Sequence, residues 1–146
     1  MEILKITSGK KKYLELLLLG DEQESMIDRY LERGDMFVLD DCGVKAECVV
    51  TREGEGVYEL KNIAVVPEFQ RRGYGRMLVD YVADCYPDCK ELFAGTGDCP
   101  PSLSFYKSCG FSVSHRVKNF FVDNYDHEIY DCGIRLVDMV YLVRKC

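Results

Sequence analysis

Residues 57–76 read VYELKNIAVVPEFQRRGYGR, and they change character twice. The first part, 57–66 (VYELKNIAVV), is an extended apolar run of the kind that forms a strand. Pro67 stops its regular pairing, because proline offers no N–H and restrains the residue before it. Gln70-Arg71-Arg72-Gly73-Tyr74-Gly75 is a basic turn with two glycines. From Tyr74 to Cys85 the apolar residues Met77, Leu78, Tyr81, Val82 and Cys85 recur at helical spacing, and Pro87 blocks continuation.

A strand, a basic glycine turn and a helix start make a place to hold phosphate. Gly73 and Gly75 allow close backbone approach. The first N–H groups of a helix lack internal acceptors and sit at its positive end, so several can converge on one pyrophosphate. Arg71, Arg72 and Arg76 add positive charge, and Gln70 offers an amide. The competing reading is a solvated basic helix start whose glycines merely turn the chain. The triphosphate-loop pattern GxxxxGK[ST] does not occur.

Outward from this stretch, residues 2–6 read as a strand, 10–19 and 22–32 as helices, and 36–40 and 44–52 as strands. Met26, Ile27, Tyr30 and Leu31 group on one helical face, with Gly34 as the stop. Beyond the 74–85 helix come a strand at 91–96, an irregular stretch from Gly97 to Pro101, and a short helix from Ser102 to Cys109. Two late strands, 112–122 and 134–143, are joined by a polar segment around Asp123–Gly133. The order favours one α/β domain, 1–146, with a mixed sheet. Regular strand–helix alternation is missing over residues 36–66, which argues against a dinucleotide-binding fold.

The chain has 146 residues and a formal net charge of −6. That balance disfavours a nucleic-acid surface, although a local anion site stays compatible with it. No apolar run reaches the roughly 20 residues of a membrane span, and no secretion signal is evident, so the cytoplasm is the expected compartment. Eight cysteines occur, without a CxxC, and only two histidines, His115 and His127. No metal site is expected, and the thiols are expected to be mostly free. Cys85 and Cys89, four apart, could share a helix face.

LKNIAVVPEFQRRGYG closely resembles the Q/R-x-x-G-x-G/A signature region of the GCN5-related N-acetyltransferase (GNAT) family, and FYKSCGF at 105–111 extends the resemblance. Residues 57–111 carry it most specifically, and 120–146 look like a small bacterial-type branch. The resemblance implies a single-domain fold with a central mixed, mostly antiparallel sheet flanked by helices. It also implies acetyl-coenzyme A as cosubstrate, bound where two strands splay. Gln70, Arg71, Arg72, Gly73, Tyr74 and Gly75 would contact the pyrophosphate, assisted by Arg76. Ile63, Ala64 and Val65, on a bulged strand, would line the pantetheine arm; the plain alternative for these three is a core strand. Asp98 stands where relatives place a pantetheine-contacting asparagine, in a locally shifted match. Ser102 would approach the ligand or cap its helix.

Acetyl transfer to an amine needs a base for the ammonium proton, a polarised thioester carbonyl and a proton for the departing thiolate. By resemblance Tyr106 is the residue near the coenzyme sulfur; its alternative role is ring packing. Glu59 is the base candidate, on the argument that its strand parity matches Lys61, Ile63 and Val65. A solvated carboxylate paired with Lys61 is the alternative, and Glu47 on the neighbouring strand is the second candidate. Cys109 reads as a buried structural thiol. The acidic, aromatic run Tyr125, Asp126, Glu128, Tyr130 and Asp131 is either a cation-binding lip or a solvated loop. The expected function is therefore acetyl transfer to a primary amine, of a small molecule or a protein, by direct attack in a ternary complex. A non-catalytic acyl-coenzyme A sensor or interaction domain is the alternative, and a homodimer is compatible with either.

Overall fold

The computed structural model describes residues 1–146. A seven-stranded sheet runs through it, built from β1 (Glu2–Ile6), β2 (Asp35–Asp40), β3 (Val44–Gly54), β4 (Val57–Val65), β5 (Glu91–Gly97), β6 (Ser112–Val117) and β9 (Met139–Lys145). The order is β1-β2-β3-β4-β5-β9-β6, and every pair is antiparallel except β4–β5. The expected mixed, mostly antiparallel sheet is present. A separate two-stranded hairpin pairs β7 (Tyr130–Asp131) with β8 (Ile134–Arg135). Its turn residues Cys132 and Gly133 both have positive φ, as a tight hairpin turn requires.

One face of the sheet carries α1 (Leu14–Gly20) and α2 (Glu24–Ile27); the other carries α3 (Tyr74–Cys85) and α4 (Pro100–Ser108). Leu78, Val79, Val82 and Ala83 of α3 pack with Phe37, Cys48, Val50, Leu60 and Leu92 in the larger core. The α3 stripe is rotated by about one residue from the sequence expectation: Met77 and Tyr81 are exposed, and Val79 and Ala83 take the inner positions. Leu17, Ile27, Tyr30 and Leu31 cover Met36, Val38 and Val49 on the opposite face. Each such buried side chain contributes about 1.5–3 kcal/mol, so both faces of β2 and β3 are held.

Several boundaries differ from the sequence expectation for physical reasons. The first helix begins as a 3-10 turn, Lys10–Tyr13. The helix expected over 22–32 is regular only over Glu24–Ile27, after which turns carry Tyr30 and Leu31 into the core. The buried Lys10 ammonium donates to the carbonyls of Leu31 (2.8 Å) and Gly34 (2.7 Å), satisfying carbonyls that a continuing helix would have used itself. The strand expected over 112–122 ends at Val117. Asn119 adopts a left-handed conformation, its N–H donates to Asp138, and α5 (Phe120–Asn124) follows. The 134–143 segment divides because Leu136 leaves the strand to pack against Gly97, where a Cβ would come within 2.5 Å of it.

Six cysteines are free, as expected of most, but Cys89 and Cys146 are joined in a disulfide that ties the α3–β5 connection to the chain end. Cys85 and Cys89 do not share a helix face, because α3 ends at Cys85. No helix is long and apolar enough to cross a membrane.

Candidate active site

Two features of β4 create the site. The parallel pairing of β4 with β5 runs from Val57–Glu91 to Leu60–Ala94 and stops there, although both strands continue. Beyond Leu60, the β5-facing edge of β4 has no strand partner. A register shift against β3 also falls between Asn62 and Leu60, opposite Val49 and Val50 respectively, leaving Lys61 as the extra residue of a bulge.

The bulge overturns the parity argument for Glu59. Tyr58 and Leu60 face the α3 core, and past the bulge Ile63 and Val65 face it too. Glu59 points to the opposite face. There its carboxylate lies 3.0 Å from the Lys61 ammonium and lines a 160 Å³ cavity beside α2 and α5. Burial lifts the Glu59 carboxyl above the ordinary glutamate range, and Lys61 partly opposes the shift.

The cavity contains residues with no signature in the sequence. Tyr30, Gly95, Tyr125, Tyr141 and Met139 form much of its wall. A Cβ on Gly95 would meet Met139 Sδ at 2.5 Å and the Tyr141 ring at 3.0 Å, so a glycine there lets both side chains seat. The Asp21 carboxylate accepts hydrogen bonds from Tyr30 (2.9 Å) and Tyr125 (2.6 Å), and Asn62 donates to the Tyr30 hydroxyl (3.1 Å). Of the acidic, aromatic run, only Tyr125 among the five singled out enters this cavity; Asp126, Glu128, Tyr130 and Asp131 are exposed. The signal available in advance was a tyrosine at 125 beside a strand-rich tail, which is too common a pattern to locate a cavity.

At the far end of β4 lies the basic turn. Arg71 (φ 64°) and Gly73 (φ 86°) are both left-handed, and Gly73 is the N-cap of α3. This geometry leaves the N–H groups of Arg71, Arg72 and Gly73 with no acceptor in the chain, between Gln70 N–H, bonded to Pro67, and Met77 N–H, bonded to Gly73. Gly75 serves a different purpose, since a Cβ there would lie 3.1 Å from the Phe105 ring of α4. Tyr74 donates to Asp41 (2.6 Å), fixing the helix start to the β2–β3 turn. Phe69 is flanked by the Lys45 ammonium at 4.2 Å and the Arg72 guanidinium at 5.1 Å. The Gln70 amide donates to Val65 O (3.3 Å), and Arg76 reaches Asp80 only at 4.0 Å. The cluster of left-handed backbone, free N–H groups and cations suits a pyrophosphate.

Tyr106 belongs to the α3 face of the sheet. Its ring makes edge contacts with Phe105 and Phe111, and its hydroxyl bonds to no group of the chain. Burial raises its hydroxyl above the ordinary tyrosine range, with Cys109 and Glu47 adding to the effect, so it keeps its proton at neutral pH. Glu47 lies opposite Ala64, fully buried, with neither carboxylate oxygen hydrogen-bonded. Burial pushes its carboxyl well above the ordinary glutamate range, which favours the neutral acid. Ala64 is buried; Ile63 and Val65 are half-buried.

Asp98 is exposed at the end of β5 and paired with Arg116 at 2.9 Å. Ser102 does not cap α4, because that helix begins at Pro100 with Cys99 as its N-cap; the Ser102 hydroxyl instead donates to Asp131 at 3.5 Å. Cys109 is buried, as expected of a structural thiol.

The family model for the acetyltransferase (GNAT) domain matches residues 32–113. The uncharacterised N-acetyltransferase YvbK of Bacillus subtilis is 34% identical, over 97% of this chain and 96% of its own. A GNAT family acetyltransferase from Elizabethkingia anophelis, solved with acetyl-CoA bound, is 32% identical and superposes with a TM-score of 0.91 over 99% of this chain and 97% of that one. A Bacillus subtilis acetyltransferase in complex with CoA gives 30% identity and a TM-score of 0.89 over 99% and 98%. These likenesses establish that the chain belongs to the GCN5-related N-acetyltransferase family and is an acetyl-coenzyme A-dependent N-acetyltransferase.

Proposed function

We propose that this protein transfers the acetyl group to a primary amine seated in the Glu59 cavity, by direct attack in a ternary complex. The observation that carries the reading is the parting of β4 and β5 immediately after Leu60–Ala94. That gap has Glu59 on one face of the sheet and Tyr106 with the α3 start on the other. A cosubstrate threaded through it is reached by the amine from one side, while its leaving sulfur departs on the other.

The turn from Gln70 to Gly75 holds the pyrophosphate through the N–H groups of Arg71, Arg72 and Gly73, with Arg76 alongside. Ile63, Ala64 and Val65 present the unpaired strand edge to the pantetheine amides, and a backbone N–H near Val65 polarises the thioester carbonyl. Asp98 and Ser102 border the same end of β5.

Glu59 accepts the ammonium proton, and its raised pKa makes it a better match for that task than an ordinary glutamate. The free amine attacks the carbonyl carbon, the C–N bond forms and the C–S bond breaks. Tyr106 gives its proton to the departing sulfur and is reprotonated by the proton that the attacking nitrogen sheds as it becomes an amide. Glu47 is less suited to the base role, because it is sealed from solvent and its burial disfavours the carboxylate.

The test is thiol release from acetyl-coenzyme A with an amine panel, for the parent protein and Glu59→Gln. Amine-dependent release that falls at least about a hundredfold in the variant is the expected result. Amine-dependent release that is unchanged in the variant would remove Glu59 from the mechanism.

A further inference from the structure

The cavity on the Glu59 side has an uneven charge inventory. Its cations are Arg29, Arg33 and Lys61, and its carboxylates are Asp21 and Glu59. Asp21 already accepts two phenol hydrogen bonds, and Glu59 is paired with Lys61. Arg33 is paired with Glu53 at 2.9 Å. Arg29 differs from the other two cations: no carboxylate lies within ion-pairing distance of it. Its one side-chain bond is donated from Nη1 to the neutral Asn124 amide oxygen at 3.1 Å. That bond anchors the guanidinium between α2 and α5 and leaves the rest of its five-donor fork uncommitted.

A polyamine would bring further positive charge into a cavity whose carboxylates are already engaged. An amine bearing a carboxylate fits both ends of the inventory: the amine needs a base, and the guanidinium fork matches a planar carboxylate in bidentate geometry. The aromatic wall of Tyr30, Tyr125 and Tyr141 suits an apolar body between the two ends. Resting on the reading that the acceptor occupies this cavity, we propose that the acceptor is a small amine carrying a carboxylate, an amino acid or close analogue, and that Arg29 holds the carboxylate.

The experiment measures thiol release from acetyl-coenzyme A with α-, β- and ω-amino acids. Each is paired with its carboxamide, and spermidine and simple diamines are added. The parent protein should favour at least one acid over its amide by about tenfold or more in kcat/KM. Arg29→Gln should collapse that ratio toward one, mainly through KM, and Arg29→Lys should restore part of it. Amides or diamines turned over as fast as every acid would overturn the inference while leaving amine acetylation standing. Equal losses on acids and amides in Arg29→Gln would also overturn it. No transfer to any amine in the panel would overturn the reading of the cavity as the acceptor site, and this inference with it.

Discussion

The Lys61 ammonium lies 3.0 Å from the Glu59 carboxylate, two residues along the same face of β4, and the bulge at Lys61 sets this pair on the face opposite Ile63 and Val65. Without the extra residue, strict alternation would continue and Glu59 would share a face with Ile63 and Val65. The bulge therefore separates the carboxylate from the core-facing side chains that follow it.

That ion pair has a pH consequence. Burial raises the Glu59 pKa, and Lys61 lowers it. The base must be ionised to work, so the acidic limb of kcat/KM should have its midpoint above the ordinary glutamate value of 4.5. Lys61→Met removes the charge that favours the carboxylate, so that midpoint should move to higher pH. A pH–rate profile with a saturating acyl donor checks this.

Tyr106→Phe should reduce kcat by about ten- to a hundredfold. The hydroxyl makes no bond within the chain, so the melting temperature should hardly change. Calorimetric affinity for coenzyme A should fall far less than kcat does. Parent-like rates across pH would leave Tyr106 a packing residue.

Gly73 needs its left-handed φ of 86°, although a Cβ there would meet nothing within 4 Å. Gly73→Ala should therefore cost about 1–2 kcal/mol through backbone conformation alone. It should also weaken coenzyme binding, because relieving the strain redirects the free N–H groups of the turn. Chemical denaturation and calorimetry separate the two effects.

Burial raises the Glu47 pKa in the fold, and that burial is lost on unfolding. Its folded pKa is the raised one, so the folded state binds the proton more tightly. Its favourable contribution is fully present below the ordinary value of 4.5 and is lost as pH rises toward the folded pKa. Glu47→Gln cannot ionise, so its melting temperature relative to the parent should increase between pH 5 and pH 8. A constant difference over that range would mean that Glu47 does not titrate with unfolding.

Much of this was legible in the sequence. The 57–66 strand, Pro67, the basic glycine turn and the 74–85 helix are each written in local chemistry, and the structure places them almost residue for residue. The late chain was less legible. Residues 118–124 carry the apolar content of a strand, but a left-handed Asn119 and a bond to the distant Asp138 make them a turn and a helix. The bulge at Lys61 is a mismatch in length between two strands, which neither strand shows alone. Asp21, Arg29, Tyr125 and Tyr141 meet in one cavity only through tertiary packing, so nothing local marks them as neighbours.

The most direct test of the account is a crystal structure with acetyl-coenzyme A bound. The account predicts the pyrophosphate on the N–H groups of Arg71–Gly73, the pantetheine along β4 beyond Leu60, and the acetyl group directed toward the Glu59 cavity. A coenzyme bound with its acetyl group turned away from that cavity, or with its pyrophosphate off the 70–75 turn, would contradict it.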